Sequence, residues 1–474
     1  MMESWATSGG DLHLDLSAGR ARGLGLRAAL EDALRTAARD GRFAPGTRLP
    51  SSRALSGDLG LARNTVAEAY AQLAAEGWLT ARQGSGTVVA ERGTPAAVTA
   101  PLAYPSRPVA RYDLTSGRPD VSLFPRSAWL AAARRALTVA PHEALSYSDP
   151  RGRIELRRAL AEYLARVRGV RTDPERILIC AGYTQGLRLV CGALGAQGVR
   201  SVAVEEYGLP PQQRVIAAAG LSTVALPLDG DGARTDLLAG TGAGAVVLTS
   251  AHQFPTGVAL RAARRSAAVA WARETGGLII EDDYDGEFRY DRQPVGAMQA
   301  LDPERVVYAG TTSKSLAPGL RLGWLVLPAA LVEPAVRQKE LADGQSGVLE
   351  QLTLAELITS GGLDRHVRRC RSHYRRRRDR LVAALAERAP QVEVAGLAAG
   401  LHAVLRLPPG SLGEDELLRQ ADWLGLALHT MSFCRADSAP PLPDAPPALV
   451  IGYGTPPERD FAGALDALCT LVRL

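Results

Sequence analysis

The chain has 474 residues, of which 46% are hydrophobic and 22% charged; this is about three times the ~150 residues of one domain and excludes a small single fold and wholesale disorder. Its 55 basic against 50 acidic residues leave a net charge of +5, so any contact with nucleic acid falls to a local patch. Five scattered cysteines form no Cys-x-x-Cys pair, which argues against a disulfide framework or a bound metal, and with no leader-like start and no run of ~20 apolar residues a cytoplasmic, non-membrane protein is expected.

Residues 24–40 carry one helical period, with Leu26, Ala29, Leu30 and Leu34 on a common face and Gly41 as the stop. Pro45, Gly46 and Pro50 mark a turn, Ser51 or Ser52 caps a second helix reaching Leu59, and Gly60 turns the chain. A third helix over about 63–76 places Val66, Ala69, Tyr70 and Leu73 at i, i+3, i+4 and i+7. Two short strands around a glycine-rich tip follow from Trp78, completing a winged helix-turn-helix. Arg63, Asn64 and Thr65 stand at the leading end of the third helix, where their donors can read base edges in the major groove. Arg53 can reach a phosphate, with Ser52 beside it, and Arg82 with the tip residues Gly84, Gly86 and Thr87 can approach a phosphate or the minor groove. The competing reading is a three-helix packing unit whose arginines are surface charge. The pattern Leu49-Pro-Ser-Ser-Arg53-Ala-Leu, then Arg63-Asn-Thr-Val-Ala-Glu-Ala-Tyr70-Ala-Gln-Leu73, resembles the winged helix of the GntR-type regulators. Ala62 departs from it, standing where that family usually has a capping serine; a lost cap costs ~1 kcal/mol.

Residues 91–111 carry four prolines without apolar periodicity and read as a linker between a DNA-binding domain at 12–90 and a second domain at 112–474. In the second domain, apolar segments at 176–181, 201–204, 245–249, 278–280 and 306–308 alternate with helical stretches such as 261–274. That alternation predicts an α/β fold with a mostly parallel central sheet. Of the 55 basic residues only two are lysine, Lys314 and Lys339. Arginine cannot act as a nucleophilic amine, so a surviving lysine draws attention to its chemistry. Lys339, in Val-Arg-Gln-Lys-Glu-Leu, reads as an ordinary charged helix face. Lys314 lies among small and hydroxyl residues in Gly-Thr-Thr-Ser-Lys-Ser-Leu-Ala-Pro-Gly.

An amine that forms a Schiff base with an aldehyde cofactor needs a carboxylate for a pyridinium nitrogen, donors for a phosphate and a hydroxyl near the ring oxygen. The strand Leu278-Ile-Ile-Glu-Asp-Asp-Tyr-Asp offers Asp282 for the nitrogen, with Glu281 and Asp283 as alternatives, and Tyr284 for the oxygen. Gly182, Tyr183 and Thr184 close one strand and open a helix whose free amides can seat a phosphate, while Thr311, Ser313 and Arg321 add donors.

From about Tyr112 onward the chain is similar to fold-type I aminotransferases, and in detail to the MocR-type regulators, which join that domain to a GntR-type winged helix. The similarity rests on Tyr147-Ser-Asp-Pro-Arg-Gly152, Ala251-His-Gln-Phe-Pro-Thr-Gly257, Glu281-Asp-Asp-Tyr-Asp-Gly-Glu-Phe-Arg-Tyr290 and Ser313-Lys-Ser-Leu-Ala-Pro-Gly-Leu-Arg-Leu-Gly-Trp324. It implies pyridoxal 5'-phosphate bound through Lys314, with Asp282 on the ring nitrogen, Tyr284 on the ring oxygen, Arg321 and Ser313 in the phosphate cup, and His252 and Phe254 beside the ring. It also implies a homodimer, domain-swapped in the sense that each winged helix lies against the partner's large domain. Two positions depart from it. Val450 occupies the slot where aminotransferases hold the substrate carboxylate with arginine, and Leu209 replaces a ring-covering aromatic, with Tyr207 nearby. The expected function is a regulator that binds operator DNA and senses the cofactor itself or a small amine. The alternatives are a working aminotransferase with an accessory DNA module, and a DNA binder whose large domain only dimerises. The arginine-rich run 366–380 reads as a solvated helix face or a second phosphate-contacting surface, and His402 as a packed core histidine.

Overall fold

The computed structural model describes residues 14, 16–82, 86–91, 110–290, 295–396, 398–442 and 445–474. Gly84 and most of the expected linker, 92–109, lie outside these residues, and of Arg82 the backbone alone is described. The chain divides into two compact units, 1–106 and 107–474.

In the first unit, α1 (Leu26–Arg39) turns Leu30, Ala33, Leu34 and Ala37 inward. α2 (Ser52–Leu59) is capped by Ser51, whose Oγ accepts from the amide of Ala54 at 3.2 Å. Gly60 then takes φ 62° and ψ 31°, a left-handed conformation that glycine adopts without a Cβ penalty, and so releases the chain into the next helix. α3 (Arg63–Ala75) buries Val66, Ala69, Tyr70 and Leu73, and its N-cap Ala62 makes no side-chain cap. The phenol of Tyr70 donates to the carbonyl of Pro50 at 3.0 Å, and Arg35 pairs with Glu76 at 2.9 Å, tying α3 to its neighbours. The wing strands β1 (Leu79–Arg82) and β2 (Gly86–Val89) pair antiparallel and close the core with Leu79 and Val89.

The second unit is built on a seven-stranded sheet: β3 (Ile177–Cys180), β4 (Ser201–Glu205), β5 (Ser222–Leu226), β6 (Ala245–Leu248), β7 (Leu278–Asp282), β8 (Val306–Thr311) and β9 (Gly323–Val326). Their spatial order is β3-β9-β8-β7-β6-β4-β5, and only β9 runs antiparallel to its neighbours. The apolar runs are continuous because helices cover both faces. Among these helices are α4 (Tyr183–Ala196) and α5 (Ala329–Asp343). A smaller antiparallel sheet, β10 (Glu393–Ala395), β11 (His402–Arg406), β12 (His429–Thr430) and β13 (Ala448–Gly452) in the order β10-β11-β13-β12, packs with α6 (Gly362–Arg388) in a second core.

Two sequence expectations change here. Lys339 is not on a solvated face: it shares the buried stripe of Leu331 and Ala335 on α5, and its side chain is 0% exposed. Nor is the arginine run uniformly solvated. Arg368, Arg371, Arg375 and Arg376 are exposed, but His366, Cys370, Tyr374 and Arg377 form an inward stripe. The guanidinium of Arg377 binds Asp120 at 3.0 Å and the carbonyl of Pro456 at 2.6 Å, and lies 5.0 Å from the ring of Phe461.

Removing one partner of such a pair strands the other charge in a dry setting. Arg377→Met is therefore expected to lower the unfolding free energy by about 3 kcal/mol, while Arg376→Met on the exposed face leaves the denaturant midpoint close to wild type.

Candidate functional site

The carboxyl ends of β3, β4, β6, β7 and β8 converge on one cavity of about 230 Å³, the position at which open α/β sheets present ligands. Its wall includes Tyr183, Thr184, Asp282, Tyr284, Phe254, Thr311, Ser313, Lys314 and Arg321. Residues spread over more than 130 positions of the sequence thus meet because each follows or ends a neighbouring strand.

Gly182 has φ 83° and ψ 173°, a conformation only glycine adopts readily, and it starts α4. The amides of Tyr183, Thr184 and Gln185 precede the first helical bond, from Gly186 N to Gly182 O at 3.1 Å, and so remain free for an anion. Arg321 lies over this turn. Its Nη2 donates to the carbonyl of Ala181, and a Cβ added to Gly182 would come within 3.0 Å of the guanidinium. Arg321 itself is the one non-glycine residue at positive φ, 51°, among the described residues, a strained placement that the surrounding turn holds. Thr311 and Ser313 share a hydroxyl hydrogen bond of 2.8 Å in the same wall.

At the other end, the strand's three acidic residues separate by environment. Glu281 accepts from Ser250 Oγ at 2.5 Å and from the amides of Met298 and Gln299. Asp283 binds Arg168 at 2.6 Å and the Tyr308 phenol at 2.8 Å. Asp282 alone faces the cavity, and burial pushes its carboxyl up to about 8 against the opposing pull of Lys314. Burial likewise holds the Lys314 ammonium below the usual lysine range; Asp282 and Asp285 oppose this and Arg118 adds to it. The Lys314 Nζ donates to the carbonyl of Gly117. Tyr284 donates to the carbonyl of His252 at 2.9 Å, and His252 Nδ1 lies 2.8 Å from Asp285.

His252 does not line the cavity; it sits a layer behind Tyr284, while Phe254 reaches the wall. His402 is buried, 4.9 Å from the His252 ring and 5.0 Å from Phe254, and its Nε2 faces the Pro255 carbonyl at 3.1 Å. Burial holds it well below the ordinary histidine range, so it is a neutral packing residue. Val450 is fully buried against Phe254 and Cys434 and offers no carboxylate clamp; Leu209 lines the cavity, whereas Tyr207 does not.

Sequence reasoning missed Gly117, Glu205, Gln212 and Thr249. Glu205 ends β4 as Asp282 ends β7, and burial pushes its carboxyl up to about 7 while Thr249 and Gln253 donate to it. A carboxylate closing an apolar run was the signal that could have found it. Gln212 donates to the Tyr183 phenol at 2.7 Å.

In the first unit Arg53, Arg63 and Asn64 are exposed, Ser52 and Thr65 half-buried, and Gly86 and Thr87 lie at the wing. Arg48 joins them unforeseen: its Nε lies 3.2 Å from where a Cβ on Gly86 would stand.

Residues 112–431 match the family described as aminotransferase class I and II, and residues 26–89 match bacterial regulatory proteins of the gntR family. The HTH-type transcriptional regulator YhdI of Bacillus subtilis is 34% identical over 90% of this chain and 92% of its own. The HTH-type pyridoxine biosynthesis transcriptional regulator PdxR of Corynebacterium glutamicum is 34% identical over 79% and 82%. Among solved structures, the multiple substrate aminotransferase of Thermococcus profundus superposes with a TM-score of 0.69 at 25% identity, covering 78% of this chain and 92% of that one.

A carboxyl whose folded pKa lies near 8 against an ordinary 3.8 binds more protons folded than unfolded between those values, so stability falls as pH rises across that window. Asp282→Asn removes this loss. The cofactor-free variant is expected to melt above wild type at pH 8, with the gap closing as pH falls toward 4 in a thermal-shift series.

Proposed function

The chain belongs to the MocR-type transcriptional regulators, a GntR-family winged helix joined to an aminotransferase class I and II domain, and we propose that it senses occupancy of its large-domain cavity and reports it through DNA binding. The cofactor of this domain is pyridoxal 5'-phosphate, which when bound supplies an aldehyde that condenses with amines and an electron-accepting ring. The donor set fits it: free helix amides and a guanidinium at one end suit a phosphate, and a buried carboxyl facing the cavity at the other suits a pyridinium nitrogen. In this reading Lys314 offers an amine that burial keeps closer to its neutral, nucleophilic form. Asp282 would face the ring nitrogen, Tyr284 would turn its phenol from the His252 carbonyl toward the ring oxygen, and Phe254 would exclude water from one wall. Gly182, Tyr183, Thr184, Thr311, Ser313 and Arg321 take the phosphate.

The observation that carries the reading is the convergence of Lys314, Asp282 and the Gly182 turn on one cavity. The effector we favour is the cofactor itself or an amine lacking a carboxylate, because Val450 offers no bidentate partner for an α-carboxylate. The completeness of the lysine and carboxylate pair supports a second reading, transamination, which requires amino acids to bleach the visible band of the loaded protein and release keto acids.

A homodimer in the cytoplasm completes the proposal. Leu130, Leu137 and Val139 on the helix Arg126–Val139, with Leu145 and Tyr147 beyond it, are exposed, Tyr147 at 97%. Apolar residues left open in this density fit a face covered by a second copy of the chain.

Borohydride treatment of the loaded protein is expected to leave a pyridoxyl group on the peptide containing Lys314, and Lys314→Ala to abolish both this adduct and the visible absorbance. An adduct elsewhere, or none, would overturn the reading. For the winged helix, Arg53→Ala is expected to reduce the slope of log K against log salt by about 1 at every sequence, whereas Arg63→Ala costs about 1–3 kcal/mol on the preferred sequence and relaxes discrimination, as read by fluorescence anisotropy.

A further inference from the structure

The second lysine has no place in the cofactor reading so far, and its surroundings are unusual. Lys339 Nζ lies 2.6 and 2.8 Å from the two oxygens of Asp343, 2.9 Å from Ser346 Oγ and 3.4 Å from Gln185 Oε1. That Gln185 Oε1 also accepts the amide of Ala181 at 2.7 Å, and Gln185 Nε2 donates to Asp343 at 2.8 Å. Ser346 Oγ reaches the carbonyl of Ile179 at 3.4 Å. The ammonium therefore sits behind the end of β3 at the hub of a network whose other end is the Ala181–Gly182 turn. The same turn is held from the opposite side by Arg321 on the Ala181 carbonyl. Lys339 itself does not line the cavity.

A fully buried ammonium is expensive, and an apolar side chain commonly serves packing as well or better. This chain also uses arginine at every other basic position except Lys314. A planar guanidinium cannot direct three donors around one nitrogen at Asp343, Ser346 and Gln185, as an ammonium can. We infer that Lys339 is a positioning residue for the phosphate end of the cavity: through Gln185 it fixes the Ala181–Gly182 turn so that the first amides of α4 converge on a bound phosphate. The inference rests on the proposed binding of pyridoxal phosphate and adds to it a residue that touches neither cofactor nor DNA.

The prediction is a split between two ligands that differ only in the phosphate. Apparent Kd values for pyridoxal phosphate and for pyridoxal, from the visible band formed on titrating the cofactor-free full-length protein, are compared in wild type, Lys339→Met, Lys339→Arg and Gln185→Leu. Each variant is expected to weaken pyridoxal phosphate about 10-fold or more while pyridoxal stays within about 2-fold of wild type. Gln185→Leu and Lys339→Arg keep the test open if Lys339→Met does not fold. Equal weakening of both ligands would make Lys339 a general packing residue, and unchanged values for both would show that the network does not govern the turn; either overturns the inference. Failure of wild type to bind pyridoxal phosphate would instead overturn the underlying reading.

Discussion

An amine and a carboxyl buried together at the wall of one cavity form the constraint around which the large domain is organised. Burial moves Lys314 and Asp282 in opposite directions, the lysine toward its neutral form and the aspartate up to about 8. In water the two would sit charged and solvated; here burial disfavours both charges, and each opposes the shift of the other. In the proposed reading, a molecule carrying an aldehyde at one point and a basic ring nitrogen at another would engage both at once. The surrounding acidic residues show how this is kept specific, since Arg168 neutralises Asp283 and backbone amides satisfy Glu281.

The scaffold delivers these groups through register. Asp282 ends β7 and Thr311 ends β8, which pair in parallel so that the turn carrying Ser313 and Lys314 begins next to the carboxyl. β9 returns antiparallel between β8 and β3, and its register sets Gly323 beside Cys180, just ahead of the Gly182 turn. Gly323 has no room for a side chain, because a Cβ there would stand 2.9 Å from Gly182. Arg321, two residues earlier in its strained conformation, is thereby placed over the Gly182 turn. The DNA-binding unit solves a simpler problem: an apolar stripe inward and polar residues at the leading end of α3.

Much of this was legible in the sequence because the informative residues are local. Gly60, the Gly182 turn and the hydroxyl-rich run before Lys314 announce themselves over a few positions, whereas the sequence favours Asp282 but leaves Glu281 and Asp283 open until their partners Ser250 and Arg168 distinguish them. What was not legible depends on distant partners. The eight-residue spacing from Leu331 through Ala335 to Lys339 placed the lysine on a buried stripe, but its charge concealed this until Asp343, Ser346 and Gln185 were seen around it. Arg377 is hidden among exposed arginines and becomes distinct only through Asp120, far earlier in the chain. Arg48 and Gly117 contribute through a side chain lying over the wing and a carbonyl on the lysine, neither of which leaves a pattern in sequence.

In the proposed function, cavity occupancy and DNA binding are two ends of one equilibrium, which requires a coupling free energy between them. The most direct measurement is the affinity of the full-length protein for a duplex it selects from a random pool, with and without saturating pyridoxal phosphate, in wild type and Lys314→Ala. The account predicts a cofactor-dependent shift in wild type and none in the variant, whose unliganded affinity matches that of wild type. An equal shift in both proteins, or no shift in wild type with the cofactor bound, would contradict it.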